Sequence, residues 1–380
     1  MLKVAVLGAN GFIGSRTVEM LHLEGLAEVR PIVRSMYTLA RLSKFDLDCR
    51  VADAFDQSAL HTAFEGCDIV VHAIAGDHKT IVDSLAPTYR AADAAGVRRI
   101  VYLSSGSVHG QSPVSGTDEN STLNNRQPIA YNNSKVFAEE QLQQLRKNGS
   151  VEVVMLRPGI VFGPRSFWVS SFASDLINGQ AYLVNRGQGI CNSIYIDNLV
   201  HAIYLTCNTE NINGEVFIVG DDEKITWADL YGPIAEALGF DLDKLPEAVY
   251  QPVSLSRKER IKELLDTRPA RVVLSVIPDR LFRATKASVS ALLSRPSQYP
   301  SPWTLPNLQE KSPFQPIASL EMTLLYQCQY KLPYTKARKV LGYQPIVSFK
   351  EAMRRSIGWL AFAGYPVIEF SKHIDSRYAK

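Results

Sequence analysis

Tyr131 and Lys135 stand four residues apart in the run Tyr131-Asn132-Asn133-Ser134-Lys135. Residues at that separation share one face of a helix, so the lysine ammonium can lie beside the phenol. A free tyrosine titrates at ~10 and is mostly protonated at neutral pH. A neighbouring positive charge favours the phenolate, which moves the group toward the range useful for general acid–base work. An isolated Tyr-x-x-x-Lys is more often structural than catalytic, so its companions decide. The first companion is Gly8-Ala9-Asn10-Gly11-Phe12-Ile13-Gly14, near the start of the chain. Its glycines permit a tight turn, close approach of backbone to a pyrophosphate, and close packing of helix on strand. A helix beginning near Phe12 would aim its free N–H groups and positive dipole end at phosphates.

The elements that must position these groups follow from the apolar pattern. Lys3–Leu7, Val29–Val33, Cys49–Val51, Ile69–His72, Ile100–Ser104 and Val151–Leu156 read as strands. Most are continuous runs of Val, Ile and Leu, as expected of strands buried on both faces of a parallel sheet. Ser15–Glu24, Ser58–Phe64, Thr80–Ala95 and Ser134–Lys147 suit the crossover helices between them. This alternation predicts an α/β fold, a Rossmann-type doubly wound parallel sheet, with a smaller, mostly helical substrate-binding domain. The glycine turn follows the first strand and opens the first helix, the context that gives such a motif its meaning.

After Pro158 the rhythm changes. A helix is expected near Val169–Asn178, and Ile194–Thr206 with Glu215–Gly220 suggests a return to the main sheet. Thr226–Trp303 reads as mostly helical with a Pro-rich connector over Arg295–Pro306, and Tyr334–Leu341 and Phe349–Ala361 as terminal helices. The expected division is a dinucleotide-binding domain over 1–165, with 190–222 returning to it. Residues 166–189 and 223–365 would form the substrate-binding cap, and 371–380 a frayed polar tail.

With its Gly-x-x-Gly-x-x-Gly spacing, the chain resembles the extended branch of the short-chain dehydrogenase/reductase superfamily, the NAD-dependent epimerase/dehydratase family. Tyr131 to Lys135 matches that family's Tyr-x-x-x-Lys, and Ser104-Ser105-Gly106-Ser107-Val108-His109-Gly110 resembles its Ser-Ser-x-x-Val-Tyr-Gly. Leu156-Arg157-Pro158-Gly159, Phe162-Gly163-Pro164-Arg165, Tyr195-Ile196-Asp197-Asn198 and the closing Leu341-Gly342-Tyr343 follow its other blocks. The resemblance implies a catalytic group of Ser105, Tyr131 and Lys135. Tyr131 would move the hydroxyl proton, Ser105 would orient the oxygen, and Lys135 would set the tyrosine's acidity and bond the nicotinamide ribose. It further implies cofactor contacts from Gly8, Asn10, Gly11, Phe12, Ile13, Gly14, Asp53, Ala73, Ile74, Ala75, Ser104 and Pro158. Candidates on the substrate side are Ser107, His109, Arg165, Arg186, Asn192 and Tyr195. After the second strand the chain has Val33-Arg34-Ser35 with no acid at the tip. Arg34 can pair with a 2′-phosphate, so NADP is expected over NAD. Homodimerisation through Thr80–Ala95 and Ser134–Lys147 is a further implication of the resemblance.

Departures from the family narrow the chemistry. Gly106 and Ser107 stand where sugar-nucleotide 4,6-dehydratases carry an Asp-Glu pair, so dehydration is not expected. Ile160 replaces a common asparagine, and Cys191 stands where many relatives place a diphosphate-binding arginine. The leading expectation is an epimerase or ketoreductase acting on a sugar nucleotide or related hydroxyl compound. A 3β-hydroxysteroid-dehydrogenase-like oxidoreductase is the alternative, and an NADP-binding regulator without turnover the non-enzymatic one. An insertion over about 245–315 exceeds the usual length. Its basic, partly apolar stretch Arg257–Arg295 suits either a cap with a solvated basic face or a membrane-touching surface. Pro278 and the lack of an acylation signal favour the cap.

Bulk properties exclude other classes. Over 380 residues, 46% hydrophobic and 21% charged is ordinary for a folded soluble protein, and a net charge of +3 does not suggest a nucleic-acid partner. No stretch approaches the ~18 apolar residues of a membrane span, and no secretory leader is evident. Cys49, Cys67, Cys191, Cys207 and Cys328 have no metal-ligand spacing, so no metal is expected and a reducing cytoplasm fits best.

Overall fold

The computed structural model describes residues 1–250 and 316–368. The basic stretch Arg257–Arg295, the Arg295–Pro306 connector and the Ser371–Lys380 tail lie outside the described residues. The described residues 1–249 and 316–368 belong to one compact unit.

Ten segments of this unit build its main frame. They are β1 (Lys3–Leu7), α1 (Phe12–Leu23), β2 (Glu28–Val33), β3 (Arg50–Val51), α2 (Gln57–Phe64), β4 (Ile69–His72), α3 (His78–Asp83), α4 (Leu85–Ala94), β5 (Arg99–Leu103) and α5 (Ala130–Lys147). β6 (Glu152–Pro158), β7 (Ile160–Phe162), α6 (Phe167–Ile177), β8 (Ile190–Cys191), β9 (Ser193–Tyr195), α7 (Ile196–Asn208) and β10 (Val216–Val219) follow. The main sheet has seven strands in the order β10-β6-β5-β4-β1-β2-β3. Every neighbouring pair is parallel, with Val4 opposite both Val29 and Ile69.

Alternation along each strand feeds two separate cores. Val4 and Val6 of β1 face a cluster with Val18 and Leu21 of α1 and Leu199 and Ile203 of α7. Ala5 and Leu7 face the opposite cluster, with Phe64 of α2, Leu85 and Tyr89 of α4, and Leu142 of α5. Both faces of the sheet are therefore dry, which is why its strands read as unbroken apolar runs. Chain order reverses between β1 and β4, and in such sheets the crevice at the carboxyl ends there is where ligands bind.

Two elements differ from the sequence pattern. The helix expected over Thr80–Ala95 is broken at Ser84 into α3 and α4. Pro87 has no N–H to offer the Asp83 carbonyl, so the helix restarts with the proline in its first turn. Conversely, α5 begins at Ala130 rather than Ser134. Asn133 ties that start down: its Oδ1 accepts from the Gln127 N–H at 2.7 Å and its Nδ2 donates to the Gln127 carbonyl at 2.8 Å.

A third apolar cluster draws mainly on elements outside the main sheet. It joins α6 to α8 (Trp227–Ala237), reached through β11 (Ile225–Thr226), and to α9 (Leu320–Tyr326) and α11 (Phe349–Phe362). Trp227 is fully buried, stacks on Tyr326 at 4.9 Å and donates its indole N–H to the Leu325 carbonyl at 3.1 Å. One segment expected in the cap belongs elsewhere. Ala337 and Leu341 of α10 (Thr335–Leu341), with Tyr343, pack into the sheet's own core beside Phe217 and Val219. This helix packs against the edge strand β10.

Candidate active site

The glycine turn sits at the end of β1. Gly8 has φ +88°, a conformation disfavoured for residues with a Cβ, and its carbonyl accepts the Gly11 N–H at 3.0 Å. A Cβ at Gly14 would collide with the Gly8 carbonyl oxygen, so α1 can approach the turn this closely only without one. No side chain caps the amino end of α1, and its first turn holds no acid. These amides suit a pyrophosphate. Gly8, Asn10, Gly11, Arg34, Asp53, Ala73, Ile74 and Ala75 line one cleft, bringing most of the expected cofactor residues together. Phe55 and Thr80 also line it, and neither is signalled by a motif. Arg34 is exposed and forms no ion pair among the described residues. Asp53 accepts the Phe55 N–H at 3.0 Å, which shapes the loop after β3.

Not every expected cofactor residue opens on this cleft. Phe12 instead lines a separate cavity with Arg16, Arg165 and Tyr195, and Ile13 packs between apolar clusters. Ser104 turns inward: its hydroxyl donates to Glu139 Oε1 at 2.5 Å. Glu139 is held in turn by Arg157, at 3.0 Å from Nε and 2.6 Å from Nη2. Both members of that pair are almost fully buried, so Ser104 is a structural hydroxyl satisfying a carboxylate that must stay paired. Pro158 ends β6.

Ser105, Tyr131 and Lys135 gather near the end of β5. Ser105 opens a short 3-10 turn, its Oγ accepting the Ser107 N–H at 3.2 Å. Tyr131 lies in the first turn of α5, 37% exposed. Burial raises its phenol above the ordinary value, while a hydrogen bond with Ser105 works in the opposite direction. Lys135, one turn on, is 2% exposed and shares the buried face of α5 with Ala138, Glu139 and Leu142. Its Nζ donates to the Leu103 carbonyl at 2.7 Å and to the Tyr102 hydroxyl at 3.3 Å, and lies 5.9 Å from the centre of the Tyr131 ring. Burial lowers this ammonium to about 8, and Glu139 opposes that shift. β5 runs parallel to β4, and β4 to β1, so this group and the glycine turn lie at the same edge of the sheet.

Beyond Ser105 opens a pocket lined by Ser107, Gln111, Ile160, Asn192, Trp227 and Leu332. The Ser107 hydroxyl is buried with no hydrogen-bond partner among the described residues. Asn192 faces the pocket but has its groups engaged. Its Nδ2 reaches the Tyr330 carbonyl at 3.0 Å and its Oδ1 accepts the Leu332 N–H at 2.7 Å. Four other substrate candidates lie elsewhere. His109 lines an adjoining cavity, and its Nε2 stands 3.0 Å from Arg157 Nη1. Burial and that guanidinium push the imidazole down to about 4, so it is neutral at physiological pH and acts as an acceptor. Arg165, at φ +72°, reaches Ser15 Oγ at 3.4 Å and Glu19 at 3.9 Å beside α1. Tyr195 is buried in the cap's apolar cluster, and burial pushes its phenol up to about 12. Arg186 is exposed, pairs with Glu247 at 3.6 Å and does not line the pocket.

Gln111 lines the pocket and carries no motif. Gln111 donates its amide to Glu321 Oε1 at 2.8 Å, and Glu321 comes from α9, 210 positions later in the chain. Only folding joins them. Among the described residues no cluster of His, Cys, Asp or Glu could hold a metal, and no helix is long and apolar enough to cross a membrane. All five cysteines are free.

The strand order and the parallel sheet define the class, a Rossmann-type doubly wound α/β protein. The model of the NAD dependent epimerase/dehydratase family matches residues 4–220, and the chain belongs to that family. It is 25% identical over 377 residues to a 2-alkyl-3-oxoalkanoate reductase from Shewanella oneidensis, covering 92% of this chain and 84% of the relative. It is 27% identical over 272 residues to a UDP-glucose 4-epimerase from Vibrio cholerae, covering 65% and 79%. Among solved structures, the UDP-glucose 4-epimerase of Thermotoga maritima matches with a TM-score of 0.66 at 18% identity, over 95% of this chain and 99% of that one. A UDP-glucuronic acid 4-epimerase from Bacillus cereus, in complex with UDP-glucuronic acid and NAD, matches with a TM-score of 0.65 at 16% identity, over 95% and 100%. At these identities the structural matches speak for the fold alone.

Proposed function

We propose that the chain is a nicotinamide-dependent epimerase or ketoreductase acting on a sugar nucleotide or a related hydroxy or keto compound. The observation that carries this reading is the meeting of Ser105, Tyr131 and Lys135 at the sheet edge that also bears the glycine turn. The cleft fits a dinucleotide on its own geometry, because its turn excludes a Cβ at Gly14 and leaves the α1 amides uncapped. Gly8, Asn10, Gly11 and Asp53 would hold the nucleotide, and when bound the nicotinamide supplies the acceptor or donor of a hydride. Arg34 would meet a 2′-phosphate, which makes NADP the favoured form. Arg34→Ala should then weaken NADPH binding about tenfold or more while leaving NADH nearly unchanged, as charge-assisted contacts warrant. Fluorescence titration of both nucleotides checks it, and equal losses would remove the preference.

Chemistry on the protein side is a proton transfer. Tyr131, kept protonated by burial, is disposed to donate to a ketone oxygen and to receive the proton back from a carbinol. Ser105 lies beside that phenol and would orient the same oxygen. Lys135 brings a positive charge to the ring's flank, favouring the phenolate whenever the proton leaves.

Tyr131→Phe removes the proton donor and should lower kcat by about a thousandfold, within the range typical of general acid–base groups. Nucleotide affinity should stay nearly unchanged, and wild-type turnover in this variant would refute the assignment. A reductase reading draws separate support from the oxoalkanoate reductase, which aligns over nearly the whole chain. Steady absorbance loss at 340 nm with a ketone would select it, whereas isomer conversion at constant absorbance would select the epimerase.

A further inference from the structure

One face of α1 borders a cavity that shares no lining residue with the nucleotide cleft. Its volume is about 350 Å³, within the ~300–1,000 Å³ of small-molecule sites. Phe12, Arg16 and Glu19 stand three or four residues apart on α1 and so share that face. The same cavity is lined by Lys44 from the loop before β3, Arg165 from the loop after β7, Asp197 in the first turn of α7, and Arg355 of α11. Among the described residues, four cations therefore line it against two carboxylates.

Those carboxylates do not serve the cations evenly. Asp197, 3% exposed, is held by Arg16 at 2.7 and 2.9 Å and by Arg355 at 3.1 Å. Glu19 is shared by three cations, at 3.3 Å from Arg16, 3.8 Å from Lys44 and 3.9 Å from Arg165. Arg165 also reaches the Ser15 hydroxyl at 3.4 Å. Burial lowers the Arg165 guanidinium, Glu19 opposes that shift, and Arg41 and Arg16 reinforce it. Like charges gathered at a half-buried cavity repel one another unless an anion joins them. Phe12, Ile196 and Trp359 add an apolar wall to the same space.

We propose that this cavity is an anion site apart from the nucleotide cleft, in which Arg165 and Lys44 bind the phosphate of a small phosphate monoester whose apolar body lies against Phe12 and Trp359. The inference goes beyond the proposed function and does not depend on it. A guanidinium fork and an ammonium both suit phosphate oxygens. A phosphate monoester carries about −1.5 to −2 at pH 7, which offsets the excess of cations around the cavity. A carboxylate would leave part of that excess in place.

Phenyl phosphate and inorganic phosphate make a matched pair of probes, since only the first carries an apolar body. By calorimetry on the full chain at about 0.15 M ionic strength, phenyl phosphate should bind about tenfold more tightly, from the ring area removed from water. Arg165→Asn keeps a residue type that tolerates the positive φ. It should weaken both probes about tenfold or more, as the loss of a charge-assisted contact warrants. Lys44→Gln changes an exposed position that folding does not depend on, and should weaken both several-fold. Trp359→Leu should remove the advantage of phenyl phosphate and leave inorganic phosphate as it was. Two controls, Arg34→Ala in the nucleotide cleft and Lys244→Gln on the outer surface, should change neither probe. Binding of neither probe would overturn the site, as would losses in Lys244→Gln equal to those in Lys44→Gln, which mean diffuse charge attraction. Losses confined to Arg34→Ala would place the probes in the nucleotide cleft and overturn it equally. Equal affinity for the two probes would overturn the apolar half of the assignment.

Discussion

A single side chain can be present for chemistry or to keep a buried partner satisfied, and His109 shows how burial decides between them. Its position in the serine-rich turn suggests a substrate contact, yet its Nε2 is engaged by Arg157. Its folded pKa, about 4, lies below the ordinary histidine value of 6.5. Between those values the unfolded chain binds more protons, so stability rises with pH across that window. The contribution is complete above about 6.5 and is lost as pH falls toward 4. His109→Gln keeps an acceptor without titrating, and urea denaturation at pH 4.5 and 7 should show a smaller difference than wild type. An unchanged difference would mean that other groups carry the acid sensitivity. Nearby, the buried Glu139–Arg157 pair explains why Ser104 turns away from the cleft and leaves Ser105 to face Tyr131.

At the scale of elements, the site depends on how closely helices approach strand ends. α1 can start at Phe12 only because Gly14 has no side chain to strike the Gly8 carbonyl. Gly14→Ala forces the turn or the helix to shift, at a cost of roughly 1–3 kcal/mol by the usual penalty of overpacking. On the proposed function these amides hold the cofactor phosphates, so nucleotide affinity should fall together with stability. A variant that loses neither, by urea denaturation and fluorescence titration, would mean the turn is not a phosphate cradle. Similar logic governs α5, where Lys135 is buried on the face that also carries Ala138 and Leu142. The helix thereby holds an ammonium against the sheet that solvent would otherwise draw out.

Across the whole molecule, local order along the chain fixed far more than long-range meeting did. Alternating apolar runs determined a doubly wound parallel sheet, because only strands buried on both faces carry unbroken Val, Ile and Leu. The glycine spacing determined the turn, since a Cβ at Gly14 would strike the Gly8 carbonyl and Gly8 itself takes a positive φ. Tyr131 and Lys135 were legible because a helix converts a separation of four into adjacency. What the tertiary structure alone decided is which polar side chains face the pocket. Arg165 and Tyr195 belong to motifs but turn toward α1 and the cap core, and Asn192 is spent on its own neighbours. Gln111 and Glu321 belong to no motif, yet they meet across a sequence separation of 210. Periodicity reports which face of an element is dry. It carries no information about which distant side chains that dryness brings together.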